Sequence, residues 1–244
     1  MPPAQAATAL LLRSVDYGDS DRIVTLFTRE HGKLTCLAKG ARSSRRRYAG
    51  LQPFCLLAVS LRRRGHELAH LDHLQASAFP PGLSTRLEGL AAGYVLLELC
   101  DRFEQPESPS PQAFDLLWAS LGALAAGAQA DWVRSSFALQ LLGLAGLAPE
   151  LTDCRACGRT WPFEPARLSP THAGWLCPAC GRGMAGELGL EEAEALRSAA
   201  LGAPHRLNFS SAAEAAVDRL VEFHLGRSLR SLQALSGILS LERQ

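Results

Sequence analysis

Four cysteines carry the clearest chemical signal in this 244-residue chain. They stand as Cys154-Arg-Ala-Cys157-Gly158 and Cys177-Pro-Ala-Cys180-Gly181, with 19 residues between the pairs. Two residues between partners let both sulfurs of one turn reach a single ion at about 2.3 Å, and the two pairs complete a tetrahedral thiolate shell. The glycine after each second cysteine lets the backbone turn beneath the metal. Four thiolates leave no position for water, so the expectation is one zinc ion in a structural role, held by Cys154, Cys157, Cys177 and Cys180. His172, inside the loop, reads as a surface histidine because the tetrad is full. A redox CxxC would need a thioredoxin-like βαβ setting, and an iron–sulfur cluster fits paired knuckles less well than zinc. Cys36, Cys55 and Cys100 lie in apolar or strand-like contexts and read as buried free thiols.

A second metal signal competes. His66-Glu67-Leu68-Ala69-His70 spells HExxH, which on a helix presents two histidines on one face for a catalytic zinc with Glu67 as general base. That reading makes the chain a metallopeptidase. The motif follows a strand-like run and the break at Arg64-Gly65. On a strand the two histidines would stand about 13 Å apart and could not share an ion.

The third signal is charge. From Lys33 to Arg47 there are six basic residues and no acidic ones: Lys33, Lys39, Arg42, Arg45, Arg46 and Arg47. The chain has a net charge of +1, yet residues 1–80 carry +6 and residues 81–244 carry −5. A basic module on an acidic remainder points to a polyanion site. The expectation is that Lys33–Arg47 contacts phosphates, with Arg45, Arg46 and Arg47 on a mobile loop, while Tyr17–Arg29 is scaffold. Asp16, Asp19 and Asp21 read as turn formers and a partner for Arg22. Arg62, Arg63 and Arg64 alternate faces on a strand, so only part of that run can join the same surface.

These residues need elements to hold them. Residues 1–80 break into five strand-like segments: ATALLLRSV, DRIVTLFTRE, KLTCLAKG, FCLLAVSLRR and a weaker run near Leu68–Ala76. Five short strands predict a small barrel, the OB-fold being the common nucleic-acid-binding version; an SH3-like barrel fits nearly as well on strand count. After Pro80-Pro81 the pattern turns helical. Thr85 with Glu88 predicts a capping box, EQPESPSP a linker, Ser110-Pro111 a helix start, Asp131 an N-cap, and Ser211 with Glu214 another capping box. Helical segments follow at Gly189–Leu201 and Ser211–Leu225, with an amphipathic stretch over Ser228–Leu241. The predicted architecture is multidomain, β plus α. Residues 1–80 form an OB-fold nucleic-acid-binding domain, and residues 81–244 form a helical domain with a zinc-knuckle insertion at 151–183, around which Trp161, Phe163 and Trp175 pack.

The stretch YGDSDRIVTLFTREHGKLTCLAKGARSSRRRYAGLQPF resembles the signature of the bacterial DNA repair protein RecO family. The resemblance lies in Tyr17–Arg22, Thr28–Gly32, the Lys39–Arg42 loop and Gly50–Phe54, and continues through GHELAHLDHLQASAF, where the family has a Glu-Leu strand. It implies an N-terminal OB-fold, a helical C-terminal domain and a structural zinc. It also implies a recombination mediator that binds single- and double-stranded DNA and anneals complementary strands. The implied partners are RecR and the acidic C-terminal tail of single-stranded-DNA-binding protein, with RecA loading promoted indirectly. Arg102, Arg134 and Arg206 are candidate cations for that tail.

Other classes are narrowed. No P-loop, GxSxG or GxGxxG is present, and nothing in the residues argues for an enzyme beyond the HExxH pattern. No apolar run approaches the ~18 residues of a membrane span, and MPPAQAATALLLRS lacks the positive region of a secretory signal. The expected location is cytoplasmic, nucleoid-associated. An RNA-binding OB-fold adaptor remains the alternative outside the peptidase class.

Overall fold

The computed structural model describes residues 4–44, 46–63, 68–203 and 209–234. The chain splits into two compact units, Met1–Arg86 with Leu97–Ala126, and Leu87–Leu96 with Gly127–Gln244.

The first unit is built on five strands: β1 (Gln5–Tyr17), β2 (Asp21–Thr28), β3 (Gly32–Ala38), β4 (Leu56–Arg62) and β5 (Ala69–Ala78). They close into a barrel in the order β1-β2-β3-β5-β4, with β3 and β5 parallel through Cys36–Ala69 and Leu37–His70. The barrel is OB-like. Alternation along the strands puts Val24 and Leu26, Cys36 and Ala38, Leu57, Val59 and Leu61, and Ala69 and Leu71 into one core. β1 breaks the alternation. Ala7, Ala9 and Leu11 face inward, but the pairing with β2 shifts between Leu11 and Arg13.

The segment between β3 and β4 is not a free arm. Ala41, Tyr48, Leu51 and Cys55 are buried in the barrel core. The Tyr48 hydroxyl donates to the carbonyl of Leu71 at 3.2 Å, and the Arg42 amide donates to the carbonyl of Ser20 at 2.9 Å. These apolar residues pack into the barrel core, so they anchor the cations that flank them.

The expected linker also lies against the barrel. The amide of Glu107 donates to the carbonyl of Lys33 at 2.9 Å, and Pro106 bridges Lys33 beside β3. Gly32 makes room for this path: its φ is +69°, and a Cβ there would stand 2.1 Å from the carbonyl oxygen of Ser108. The helix α2 (Pro111–Ala125) begins as predicted, with Ser110 at the N-cap and Pro111 at the first position. Its Phe114 ring lies 5.6 Å from that of Phe27.

α1 (Leu87–Phe103) contributes residues to both units. Its predicted capping box is absent, because Thr85 belongs to the preceding 3-10 turn and donates its hydroxyl to Gly82 at 2.7 Å. The second unit holds α3 (Ala130–Leu144), α4 (Leu190–Ala200) and α5 (Ser211–Leu225), together with a small sheet of β6 (Ala166–Ser169), β7 (Gly174–Leu176) and β8 (Glu187–Leu188). Gln129, not Asp131, is the N-cap of α3. Ser210 rather than Ser211 caps α5, accepting from the Ala213 amide at 3.2 Å. The stretch predicted to end at Leu241 passes outside the described residues beyond 234. Among the described residues no helix is long and apolar enough to cross a membrane.

Arg134 is only 3 % exposed and donates to both Glu214 and Asp218 of α5. It is therefore committed within the core and is not available to an acidic tail. Arg102 pairs with Glu98 at 3.4 Å, and Arg206 lies outside the described residues.

Candidate nucleic-acid interface and candidate metal centre

The predicted cations among the described residues do not form one surface. Lys33 opens β3, and Lys39 follows its other end, about 20 Å away along the strand. The Lys33 ammonium donates to the backbone carbonyl of Asp101 in the last turn of α1, and it lies 3.7 Å from the Asp101 carboxylate. A helix C-terminus carries partial negative charge and unpaired carbonyls, which explains why it captures the lysine. Lys33 is accordingly withdrawn from the phosphate-contact set.

Arg42 ties two loops together. Its Nη1 donates to the Gly18 carbonyl at 2.7 Å and its Nε lies 3.3 Å from Asp16. Asp16 also accepts from Arg22 at 3.0 Å, as expected for a turn carboxylate. Asp21 braces the same corner. The Gly40 amide at 2.8 Å, followed by the Ser20 hydroxyl and the charge of Lys39, holds its carboxyl below the usual range. Arg45 lies outside the described residues, and Arg46 is exposed.

Lys39 and Arg47 converge on a pocket of about 350 Å³ with Leu37, Arg62, His70, Leu71 and Asp72. The Arg47 Nη2 donates to the Asp72 carbonyl at 2.6 Å, and its guanidinium lies 5.1 Å from the centre of the Tyr48 ring. Arg62 engages the Asp72 carboxylate at 2.8 Å. Asp72 is the single acid among the described residues that line the pocket, with two arginines and a lysine. Arg62 was visible in the sequence only as one of three adjacent arginines. Its pairing with His70 across β4 and β5 brings it to Lys39 and Arg47. Arg63 goes elsewhere, to Glu107 at 2.7 Å.

His70 lies on β5, which is extended from Ala69 to Ala78. The HExxH motif therefore ends on a strand, where its geometry does not suit a shared ion. His66 and Glu67 lie outside the described residues.

The four cysteines meet. The sulfurs of Cys154, Cys157, Cys177 and Cys180 all lie within 4.8 Å of one another, and Cys157 and Cys177 are 3.8 Å apart. Four sulfurs at about 2.3 Å from one ion stand roughly 3.8 Å apart, so the donor set fits a tetrahedral metal. Burial would raise the Cys154 thiol. The amides of Cys177, Ala156 and Cys157 outweigh it and bring the thiol down to about 6, whereas hydrogen bonds with Cys157 and Cys177 push Cys180 up to about 12, so an ion bound here must displace protons from the cluster. The aromatic residues pack as predicted: Trp161 stacks on Trp175 at 5.7 Å and meets Phe163 edge-on at 5.2 Å. His172 stays outside the cluster, with Nδ1 2.9 Å from the Ser169 hydroxyl. Cys36, Cys55 and Cys100 are buried; burial pushes the Cys36 thiol up to about 12 and Cys100 well above its ordinary value, which leaves both unreactive.

Two family models together cover most of the chain. The family model described as Recombination protein O N terminal covers residues 4–79, and Recombination protein O C terminal covers residues 84–233. The DNA repair protein RecO of Anaeromyxobacter dehalogenans strain 2CP-C is 37 % identical over 242 residues, 95 % of each chain. That of Myxococcus xanthus is 35 % identical over 235 residues, covering 94 % of this chain and 96 % of the relative. That of Shouchella clausii is 36 % identical over 173 residues, covering 70 % and 67 %.

Proposed function

The chain belongs to the RecO family of DNA repair proteins, and on that premise we propose that it is a mediator of recombination that binds DNA without making or breaking a covalent bond. It binds single and double strands, anneals complementary strands, and acts with RecR to promote RecA loading onto single strands coated by single-stranded-DNA-binding protein, whose acidic tail it engages. It works in the cytoplasm, at the nucleoid. Residues 1–80 are the DNA-binding domain. Residues 81–244 carry the protein contacts and one structural zinc on Cys154, Cys157, Cys177 and Cys180.

The observation that carries the DNA part is the pocket where Lys39, Arg47 and Arg62 meet on an OB-like barrel, with Asp72 the only acid among its described lining residues. Arginine forks match phosphate oxygens, and lysine adds a point charge. Arg46 extends the phosphate path, and Arg42 supports it by bracing the turn. Neutralising phosphates on two strands lowers their mutual repulsion, which is the physical basis of annealing.

The test is a titration of labelled single-stranded DNA against salt, with duplex DNA and RNA of equal length alongside and an annealing assay in parallel. About four neutralised phosphates give a log–log slope of about −3 on single strands. A flat salt response, no annealing, or a clear preference for RNA would each sink the proposal, the last in favour of an RNA-binding adaptor.

A further inference from the structure

The β1–β2 ribbon carries a surface that charge alone does not reveal. With strict alternation from Ala7, Ala9 and Leu11, the side chains of Arg13, Val15 and Tyr17 would continue on the barrel's inner face. The register shift between Leu11 and Arg13 reverses this. Beyond it Arg13 pairs with Thr25 and Val15 with Ile23, whereas Ser14 pairs with the core residue Val24. Directly paired residues share a face, so Arg13, Val15 and Tyr17 point outward. Val15 is 51 % exposed and Tyr17 55 %.

That outward row continues into the cationic pocket. Val15 pairs with Ile23, Ile23 with Leu37, Leu37 with His70, and His70 with Arg62. Strands about 4.8 Å apart make this a path of about 19 Å along the curved outer face of the barrel, apolar at the ribbon end and cationic at the pocket end. Leu37, His70 and Arg62 line the pocket beside Lys39 and Arg47. The neighbouring row holds Tyr17 opposite Asp21. The turn after Tyr17 is fixed by the Arg42 bond to the Gly18 carbonyl at 2.7 Å, so the ring is presented on a braced hairpin.

We infer that this strip is a base-stacking platform, in which Tyr17 and Val15 receive the unstacked bases of a single strand while Lys39, Arg47 and Arg62 hold its phosphates. The inference rests on the DNA-binding reading above. An aromatic ring beside a cationic groove suits single strands because every base has a π-face, whereas bases in a duplex are already stacked. The cations serve both DNA forms, and Tyr17 adds the preference for unpaired strands. A strand seated this way keeps its phosphates neutralised and its bases turned toward the β1–β2 ribbon.

The experiment uses the full chain with Tyr17→Ala, Tyr17→Phe and the double variant Lys39→Glu/Arg47→Glu. It measures anisotropy on a labelled 30-nucleotide single strand and its duplex, together with quenching of 2-aminopurine placed in the single strand. Tyr17→Ala should weaken single-strand binding about ten-fold, leave duplex affinity and the salt slope unchanged, and abolish the quenching; Tyr17→Phe should restore both. Thermal melting checks that the variants fold. An unchanged single-strand to duplex ratio in Tyr17→Ala, with binding lost in Lys39→Glu/Arg47→Glu, overturns the platform and leaves the DNA reading standing. Unchanged binding in all variants overturns both. A Phe variant as weak as the Ala variant also overturns stacking, since the ring would then act through its hydroxyl.

Discussion

Arg29 at the end of β2 grips Asp115 of α2 with two parallel hydrogen bonds, Nε to Oδ1 and Nη2 to Oδ2, each 2.8 Å long. The pair fastens the first turns of α2 to the barrel, beside the contact of Phe27 with Phe114. The hydrogen bonds from Arg29, aided by its charge, hold the Asp115 carboxyl below the usual range. Its folded-state value is thus lower than the unfolded one. The stabilising contribution is fully present above about pH 4 and is lost as pH falls through the folded value. Asp115→Asn should lower the melting temperature slightly at neutral pH, the effect being small because the pair is half-exposed, and the difference should vanish as pH falls through the folded value.

The withdrawal of Lys33 from the phosphate set has a measurable counterpart. Lys39→Ala combined with Arg47→Ala should reduce the single-strand salt slope by about 1.4, at about 0.7 per phosphate. Lys33→Ala should leave the slope alone and lower the melting temperature, because it uncaps the end of α1. Binding titrations at four or five salt concentrations separate the two effects.

Arg134 should be the most sensitive charged residue of the helical unit. Burial raises both Glu214 and Asp218 above their ordinary values, and Arg134 opposes that rise. Arg134→Met leaves two partly exposed carboxylates without this partner, at a cost of about 1–3 kcal/mol near pH 7. Without the arginine their folded values climb further above the unfolded ones. The penalty therefore shrinks as pH falls and the acids take up protons. Urea unfolding of both forms at about pH 5 and pH 7 checks the sign.

Metal content should be one zinc per chain by elemental analysis. Cys177→Ser should lose the ion. Stripping it with a strong chelator should shift the tryptophan emission, because Trp161 and Trp175 stack beside the cysteine loops. Full occupancy in Cys177→Ser would disprove the ligand assignment.

Gly32→Ala should destabilise the first unit by about 1–3 kcal/mol. The added Cβ meets the Ser108 carbonyl, and the positive φ is strained for any side chain. Faster amide exchange at Glu107, which bonds to Lys33, locates the damage.

The amino-acid sequence by itself determined the features that depend on local spacing. Two CxxC turns with 19 intervening residues specify a four-thiolate site wherever the chain around them folds. Alternating runs separated by Gly-containing turns specify five strands, and the absence of acids between Lys33 and Arg47 specifies a cationic segment. The helix starts at Ser110 and near Ser210 were legible within one position, because the Pro111 ring fixes the first helical φ and the Ser210 hydroxyl bonds its own helix. Long-range pairing was decided by tertiary structure alone. Lys33 left the cationic set because a helix end some seventy residues later offered it a carbonyl, and Arg62 entered it because β4 pairs with β5. Arg134 was one arginine among many until α5 brought two acids to it. The clearest case is Tyr17. One shift in strand pairing after Leu11 reverses the face of every later side chain on β1, turning a residue read as scaffold into an exposed ring. Strand alternation is visible in a sequence, but the place where a bulge interrupts it depends on the partner strand.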